Sequence, residues 1–234
     1  GTLYAPAGTR MMYVNREPRF YVDITFSNSK WFDGTEGDYI VDFTYSGSCG
    51  KEQGSNDYTS TGYLVRKGMD SGDRNQNLVC VLLRLTNIYF DYIEALAHVS
   101  PTHEDIWTYM NMIRKRAGIP GYGETVNLPK PTTTEEVMEL IRKEKRIELS
   151  FENCRYFDVR RWMTANDANN PYDQQITRSG MDMTQPNQGV GVGSFFNRVV
   201  LERRAWTRAM LLYPIPYTEI QRSPGKILIQ NPLW

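Results

Sequence analysis

Four carboxylates and five cations crowd the stretch from Glu144 to Trp162, EKRIELSFENCRYFDVRRW. Glu144, Glu148, Glu152 and Asp158 are the acids. Lys145, Arg146, Arg155, Arg160 and Arg161 are the cations, with Ile147, Leu149, Phe151, Tyr156, Phe157, Val159 and Trp162 between them. Paired carboxylates could serve acid–base chemistry such as glycoside cleavage, which needs two acids flanking the scissile bond. The stretch, however, supplies neither a nucleophile nor a metal site. An exposed helix separates its charges from its apolar residues, and here they are interleaved. The pattern therefore reads as ion pairs packed under an apolar cover, which persist only when their hydrogen bonds are satisfied. Arg155, Asp158 and Trp162 fall at i, i+3 and i+7, one face of a helix. They are expected to be structural.

A second chemistry lies in the loop-like region 27–77, rich in Gly, Ser, Asn and Asp. Loops of this length in a compact domain are usually functional or disordered, and disordered segments are poor in aromatics. This one holds Trp31, Phe32, Tyr39, Phe43, Tyr45, Tyr58 and Tyr63. Sugars stack apolar C–H faces on aromatic rings and offer hydroxyls to polar groups at the rim. Trp31, Tyr39, Tyr45, Tyr58 and Tyr63 are thus candidate ligand contacts, with Asp33, Asp38, Asn56 and Asp57 as rim groups. The alternative is that the rings anchor the loop onto the helices. Trp31 follows a predicted strand closely and is the strongest candidate anchor; Tyr39, Tyr45 and Tyr58 lie deeper in the loop.

Other chemistry is thinly represented. The two histidines, His98 and His103, lie five apart and match no metal spacing. Gly189, Gly191 and Gly193 lack the Lys-Ser/Thr and helix of a phosphate loop and read as a turn. No nucleophile elbow or dinucleotide fingerprint occurs, and no cofactor is expected. The three cysteines allow at most one disulfide. Lys+Arg and Asp+Glu are 27 each, a formal net charge of zero, which argues against a nucleic-acid partner. No run of 18 apolar residues marks a membrane span.

The elements that must position these groups are mainly helical. Leu78, Leu82, Leu85, Tyr89, Tyr92 and Leu96 predict a helix over 78–99. A second is expected over 102–117, capped by Thr102, with Ile106, Met110, Ile113 and Ala117 inward and Gly118 at its end. A third is expected over 133–152, capped by Thr133 or Thr134, with Val137, Leu140, Ile141, Ile147 and Phe151 on its inner face. Alternating residues predict strands near 20–26 and 195–213. Two prolines exclude a helix at 213–216. The first two helices make a hairpin of tetratricopeptide size, which cannot bury its apolar face alone.

Five ordered elements resemble the SusD/RagB family over residues 11–234. Glu144, Arg146, Glu148, Leu149, Phe151, Glu152, Arg155, Asp158, Arg161 and Trp162 match its E-x-R-x-E-L-x-F-E-x-x-R-x-x-D-x-x-R-W signature. Asn153 stands where the family carries Gly, and Asn best tolerates the left-handed backbone such a turn needs. Asn15–Tyr21 resembles N-R-D-P-R-F-Y with Glu17 for Asp. Leu83–Ala95 resembles a family helix, departing at Thr86 and Asn87. Asn111–Gly118 is N-x-x-R-x-R-A-G. Leu212–Pro216 with Glu219-Ile220, and Gln230–Pro232, resemble the closing L-Y-P-I-P-x-x-E-I and Q-N-P. The resemblance implies a mainly α, tetratricopeptide-like SusD-type fold with long irregular loops and minor β-hairpins. Residues 1–234 are then expected to be one C-terminal domain whose N-terminal repeat half is absent or separate. It further implies a non-catalytic surface lipoprotein of the outer membrane. Such a protein binds an oligosaccharide or other nutrient and passes it to a SusC-like TonB-dependent transporter. Its lipid anchor would lie outside this segment. A glycoside hydrolase or a helical protein-binding scaffold is the alternative.

Overall fold

In the computed structural model, residues 10–31, 39–53, 58–68, 81–165, 177–187, 189 and 191–234 are described. The chain divides into two compact units, Gly1–Asn153 with Gly180–Val199, and Cys154–Ser179 with Val200–Trp234.

In the first unit the helices are α1 (Pro18–Asp23), α2 (Leu85–Val99), α3 (Glu104–Arg116) and α4 (Thr134–Glu148). Strands β1 (Ile24–Phe26) and β4 (Tyr63–Val65) pair antiparallel, with Phe26 opposite Tyr63. Strands β2 (Lys30–Trp31) and β3 (Tyr39–Ile40) pair with Trp31 opposite Tyr39. The second unit contains α5 (Arg155–Arg161) and α6 (Tyr217–Arg222). Strands β5 (Thr177–Met181) and β6 (Arg198–Arg203) form a third two-stranded sheet. The described residues are thus helical with small sheets, as the sequence predicts.

The strand expected over 20–26 begins only at Ile24. Glu17 is extended and Pro18 occupies the first helical position, where its fixed φ suits a helix start. The resulting six-residue helix exposes Val22 and carries Arg19 toward α4. The caps of the long helices differ in detail from expectation. His103, not Thr102, caps α3, accepting the Asp105 N–H on its side chain. Thr133 caps α4 as expected and also bonds Glu136.

Helices α2, α3 and α4 share a core of Phe90, Ile93, Ala97, Ile106, Met110, Ile113, Val137 and Ile141. The buried face of α2 is not the stripe its leucines outline. Leu78 lies outside the described residues, and Leu82, Leu85 and Tyr92 are exposed. Thr86, Asn87, Phe90, Ile93, Glu94 and Ala97 face inward instead. Two of these explain themselves at the helix start. Asn87 accepts the Arg84 N–H at 3.1 Å, closing a capping box, and Thr86 accepts from the Arg84 guanidinium at 2.7 Å. Polar residues on an inward face hide it from a hydrophobicity pattern.

Helix α4 stops at Glu148, four residues short of expectation, because Phe151 (φ 66°) and Asn153 (φ 60°) are left-handed. Phe151, expected on the inner face, is exposed. Asn153 takes the conformation expected of it. In the second unit, residues 213–216 are non-helical as predicted. The Gln230 amide clasps both backbone groups of Ile215 at 2.8 and 2.9 Å, and Asn231 donates to the Tyr213 carbonyl at 2.6 Å. The two closing motifs therefore hold each other.

Candidate functional site

Glu144 and Glu148 lie one turn apart on α4, and Glu152 follows the helix end. Their cations come from four separate segments. Arg19 on α1 reaches Glu17 at 2.8 Å, Glu144 at 2.7 Å and Glu148 at 3.0 Å. Arg114 on α3 holds Glu144 at 2.6 Å, donates to the Pro120 carbonyl at 2.8 Å and lies over the Tyr122 ring. Arg84 grips Glu152 through two nitrogens at 2.7 and 2.8 Å and reaches Glu148 at 2.9 Å. Arg116 also pairs with Glu148. Lys67, just after β4, meets Glu152 at 2.8 Å and Asp23 at 3.6 Å.

The glutamates at 144 and 148 are almost wholly buried, with side chains 3% and 5% exposed. Unpaired, such charges would be prohibitively costly; here each has at least two cationic partners. Burial pushes the Glu152 carboxyl up, but hydrogen bonds from Arg84 and Lys67 outweigh it and hold the group below the usual range. At Asp23 burial prevails over Lys67, and its carboxyl is raised. Burial also disfavours charge on Arg19, yet its bonds to Glu17 and Glu144 bind the proton more firmly than usual.

This network floors a pocket of about 550 Å³. Arg19, Lys67, Arg84, Arg116, Glu148 and Glu152 line it, with Val22, Val81 and Phe151 at the apolar side. Carboxylates each bound by two or more cations suit structure, and Glu152, held below the usual range, is a poor proton donor. The network expected in this motif exists, but only its acids were recognised in the sequence. Arg19, Arg114 and Arg116 belong to two of the other recurring motifs, which is the signal that would have found them; Lys67 carries none. The trio Arg155, Asp158 and Trp162 lies in the second unit. There Asp158 is buried and pairs with Arg161 at 3.0 Å, while the Trp162 N–H closes α5 on the Asp158 carbonyl.

The five candidate aromatics lie elsewhere in the first unit. Val41, Phe43, Met181, Met183 and Phe195 form a second core, and Trp31, Tyr58 and Tyr63 pack against it. Trp31 and Tyr39 are directly opposite in their ladder and so share a face. Tyr39 is exposed, its hydroxyl 3.7 Å from Cys49 Sγ. Tyr45 is half-buried, its carbonyl accepting the Glu52 N–H at 2.9 Å. The Lys51 ammonium lies 5.6 Å from the centre of the Tyr58 ring. Tyr63 meets Tyr13 edge-on at 6.0 Å. The proposed rim residues Asp33, Asp38, Asn56 and Asp57 lie outside the described residues. Among the described residues no cluster of His, Cys, Asp and Glu could hold a metal, and no helix is long and apolar enough to cross a membrane.

The tetratricopeptide-sized hairpin, the buried acid spine and the interlocked closing motifs together define a SusD-type fold. The chain belongs to the SusD family, whose pattern it matches over residues 5–234. It is similar to SusD-like protein P2 of Formosa agariphila, at 28% identity over 90 residues, 38% of this chain and 18% of that protein. It also resembles the solved structure of a SusD-like protein from Bacteroides fragilis, at 31% identity and a TM-score of 0.74. That match covers 95% of this chain and 40% of the other, so the chain spans about two-fifths of its solved relative's length.

Proposed function

We propose that this chain is the C-terminal part of a non-catalytic nutrient-binding protein of a SusC/SusD-like outer-membrane uptake system. The complete protein is a surface lipoprotein held by a lipid anchor outside this segment. It captures an oligosaccharide or a comparable nutrient and delivers it to a TonB-dependent transporter. Membership of the SusD family carries the reading.

Within it, the ligand stacks on the aromatic group of Trp31, Tyr39, Tyr45, Tyr58 and Tyr63. Tyr39 supports this best, being an exposed ring opposite Trp31 on a two-stranded ladder. Trp31, Tyr58 and Tyr63 are half-buried against the second core, which anchors them beside that ring. The cation pairs on Glu144, Glu148 and Glu152, with Glu152 held below the usual carboxylate range, support a binder over a glycoside hydrolase, which needs one acid kept protonated.

A glycan array followed by an affinity gel with the retained sugar tests the assignment. Tyr39→Ala, and then Tyr39, Tyr45 and Tyr58 to Ala together, should reduce retention while circular dichroism stays unchanged. Unchanged retention of a confirmed ligand places the site elsewhere. Release of shorter products from the same sugar would instead support the hydrolase.

A further inference from the structure

Lys67 belongs to none of the recurring motifs, yet its ammonium is fully used. It donates to the Glu148 carbonyl at 2.7 Å and pairs with Glu152 at 2.8 Å and Asp23 at 3.6 Å. An ammonium has three donors, and three acceptors surround this one. Glu148 ends α4, where carbonyls lack helical partners and a cation is favoured. The end of α4 does not depend on Lys67 alone. Arg84 also donates to the Glu148 carbonyl, at 3.0 Å, and grips Glu152 through two nitrogens. The acid spine would therefore keep a partner without Lys67. What would be lost is the element that Lys67 ties to it.

That element is the ladder of β1 and β4. Lys67 lies two residues beyond β4, and the Arg66 and Lys67 N–H groups both donate to the Asp23 carbonyl, at 2.8 and 3.2 Å, just before β1. The ladder runs from Ile24 opposite Val65 to Phe26 opposite Tyr63. A two-stranded ladder is marginal by itself in water, so it takes its place from its flanks. On the β1 flank, Arg19 of α1 reaches Glu144 and Glu148. On the β4 flank, Lys67 reaches Glu148 and Glu152. Both strands are thus moored to α4 by charged, directed contacts. Trp31, Tyr39, Tyr45 and Tyr58 lie between these strands in sequence, and Tyr63 is on β4. The core under Trp31, Tyr58 and Tyr63 is apolar, and apolar contact is non-directional.

We infer that Lys67 is a positioning residue for the aromatic ligand site: by tying the β4 end of the ladder to α4, it fixes where the rings carried between β1 and β4 stand. This role rests on the aromatic site proposed above. The Lys67 ammonium is spent on three protein oxygens, so its removal acts through the rings.

Cys49 reports on that site, because it packs against the second core and its Sγ lies 3.7 Å from the Tyr39 hydroxyl. The test labels the 234-residue chain with iodoacetamide and compares Cys49 with Cys154 of the second unit, both free thiols, by peptide mass spectrometry. Lys67→Met should speed Cys49 labelling about fivefold or more and leave Cys154 unchanged. Lys67→Arg, which keeps a cation there, should restore most of the protection. Asp23→Asn with Lys67→Met removes the carboxylate that the single variant leaves without its lysine. Its melting should return to wild type while Cys49 stays fast. Cys49 protection that returns together with the melting overturns the proposal, as does equal acceleration at both cysteines or none at either. On an affinity gel carrying the sugar that a glycan array selects, Lys67→Met should cut retention as Tyr39→Ala does. Loss in Tyr39→Ala with full retention in Lys67→Met overturns the positioning role and leaves the site standing. Full retention in Tyr39→Ala overturns the site and the role that rests on it.

Discussion

Glu144 offers the sharpest test of the buried network. Its side chain is 3% exposed and holds Arg114, itself 11% exposed, at 2.6 Å and Arg19 at 2.7 Å. In Glu144→Ala, Arg19 keeps Glu17 and Glu148, but Arg114 keeps only the Pro120 carbonyl and the Tyr122 ring. A charge left buried after removal of its partner costs about 3–5 kcal/mol. Because one of the two stranded cations is still well paired, about 4 kcal/mol is expected. In a domain of this size each kcal/mol moves the melting temperature by about 2–4 °C, so the drop should be about 8–16 °C. Replacing both partners, as Glu144→Leu with Arg114→Met, removes the stranded charge. The hydrogen bond to Pro120, at about 1 kcal/mol, goes with the Tyr122 ring contact and the Arg19 pair with Glu144, but Arg19 keeps Glu17 and Glu148, and most of the stability should return. Differential scanning calorimetry on the wild type, Glu144→Leu, Arg114→Met and the double variant closes the cycle. A Glu144→Ala protein that melts within 2 °C of wild type (roughly 1 kcal/mol or less) would refute the reasoning. So would a double variant that melts as low as the single.

Four further outcomes follow from the same geometry. Arg19→Lys should destabilise by about 1–2 kcal/mol in urea titration, because one ammonium cannot reach three carboxylates as the planar fork does. Arg116→Lys, whose side chain is 58% exposed, should change stability by under about 0.5 kcal/mol. Glu152, held below the ordinary glutamate value of 4.5, stabilises the fold above that pH and loses its contribution as pH falls further. The melting gap between wild type and Glu152→Gln should therefore be full near neutrality and shrink as pH falls below 4.5; a gap constant with pH would contradict this. At φ 60°, Asn153→Gly should be neutral to stabilising by up to about 1 kcal/mol, whereas Asn153→Val should cost about 1–2 kcal/mol by thermal melting.

What the sequence shows and what it hides follow from how each feature is encoded. Helices α3 and α4 are legible because their inward residues, Ile106, Met110 and Ile113, then Val137 and Ile141, are apolar at helical spacing. The buried face of α2 is not, because it carries Thr86, Asn87 and Glu94, while the apolar row the pattern detects points outward. The helix α1 is hidden by its length: six residues with alternating apolar side chains fit a strand as well, and only Pro18 distinguishes them. The turn at Asn153 is legible because few residues accept a left-handed backbone. The acids of the network are visible as a cluster in sequence. Their cations are not, since ion pairs between residues 129 apart, as for Arg19 and Glu148, leave no local trace.

That last point explains why motifs scattered along this chain behave as one. A short helix such as α1 buries too little apolar area to fix its own position, and the segment at Lys67 buries less. Hydrophobic contact is also non-directional and would tolerate several placements. Charged hydrogen bonds are directional, and a buried carboxylate left short of partners is expensive, so the ion pairs to the three glutamates narrow the placements that packing alone would allow. Arg19 follows Pro18, Arg84 precedes the first turn of α2, and Arg114 and Arg116 close α3 beside Gly118. Each of these four arginines thus sits near a helix terminus, where the backbone direction is set locally. The acid spine of α4 therefore acts as the register mark for the first unit.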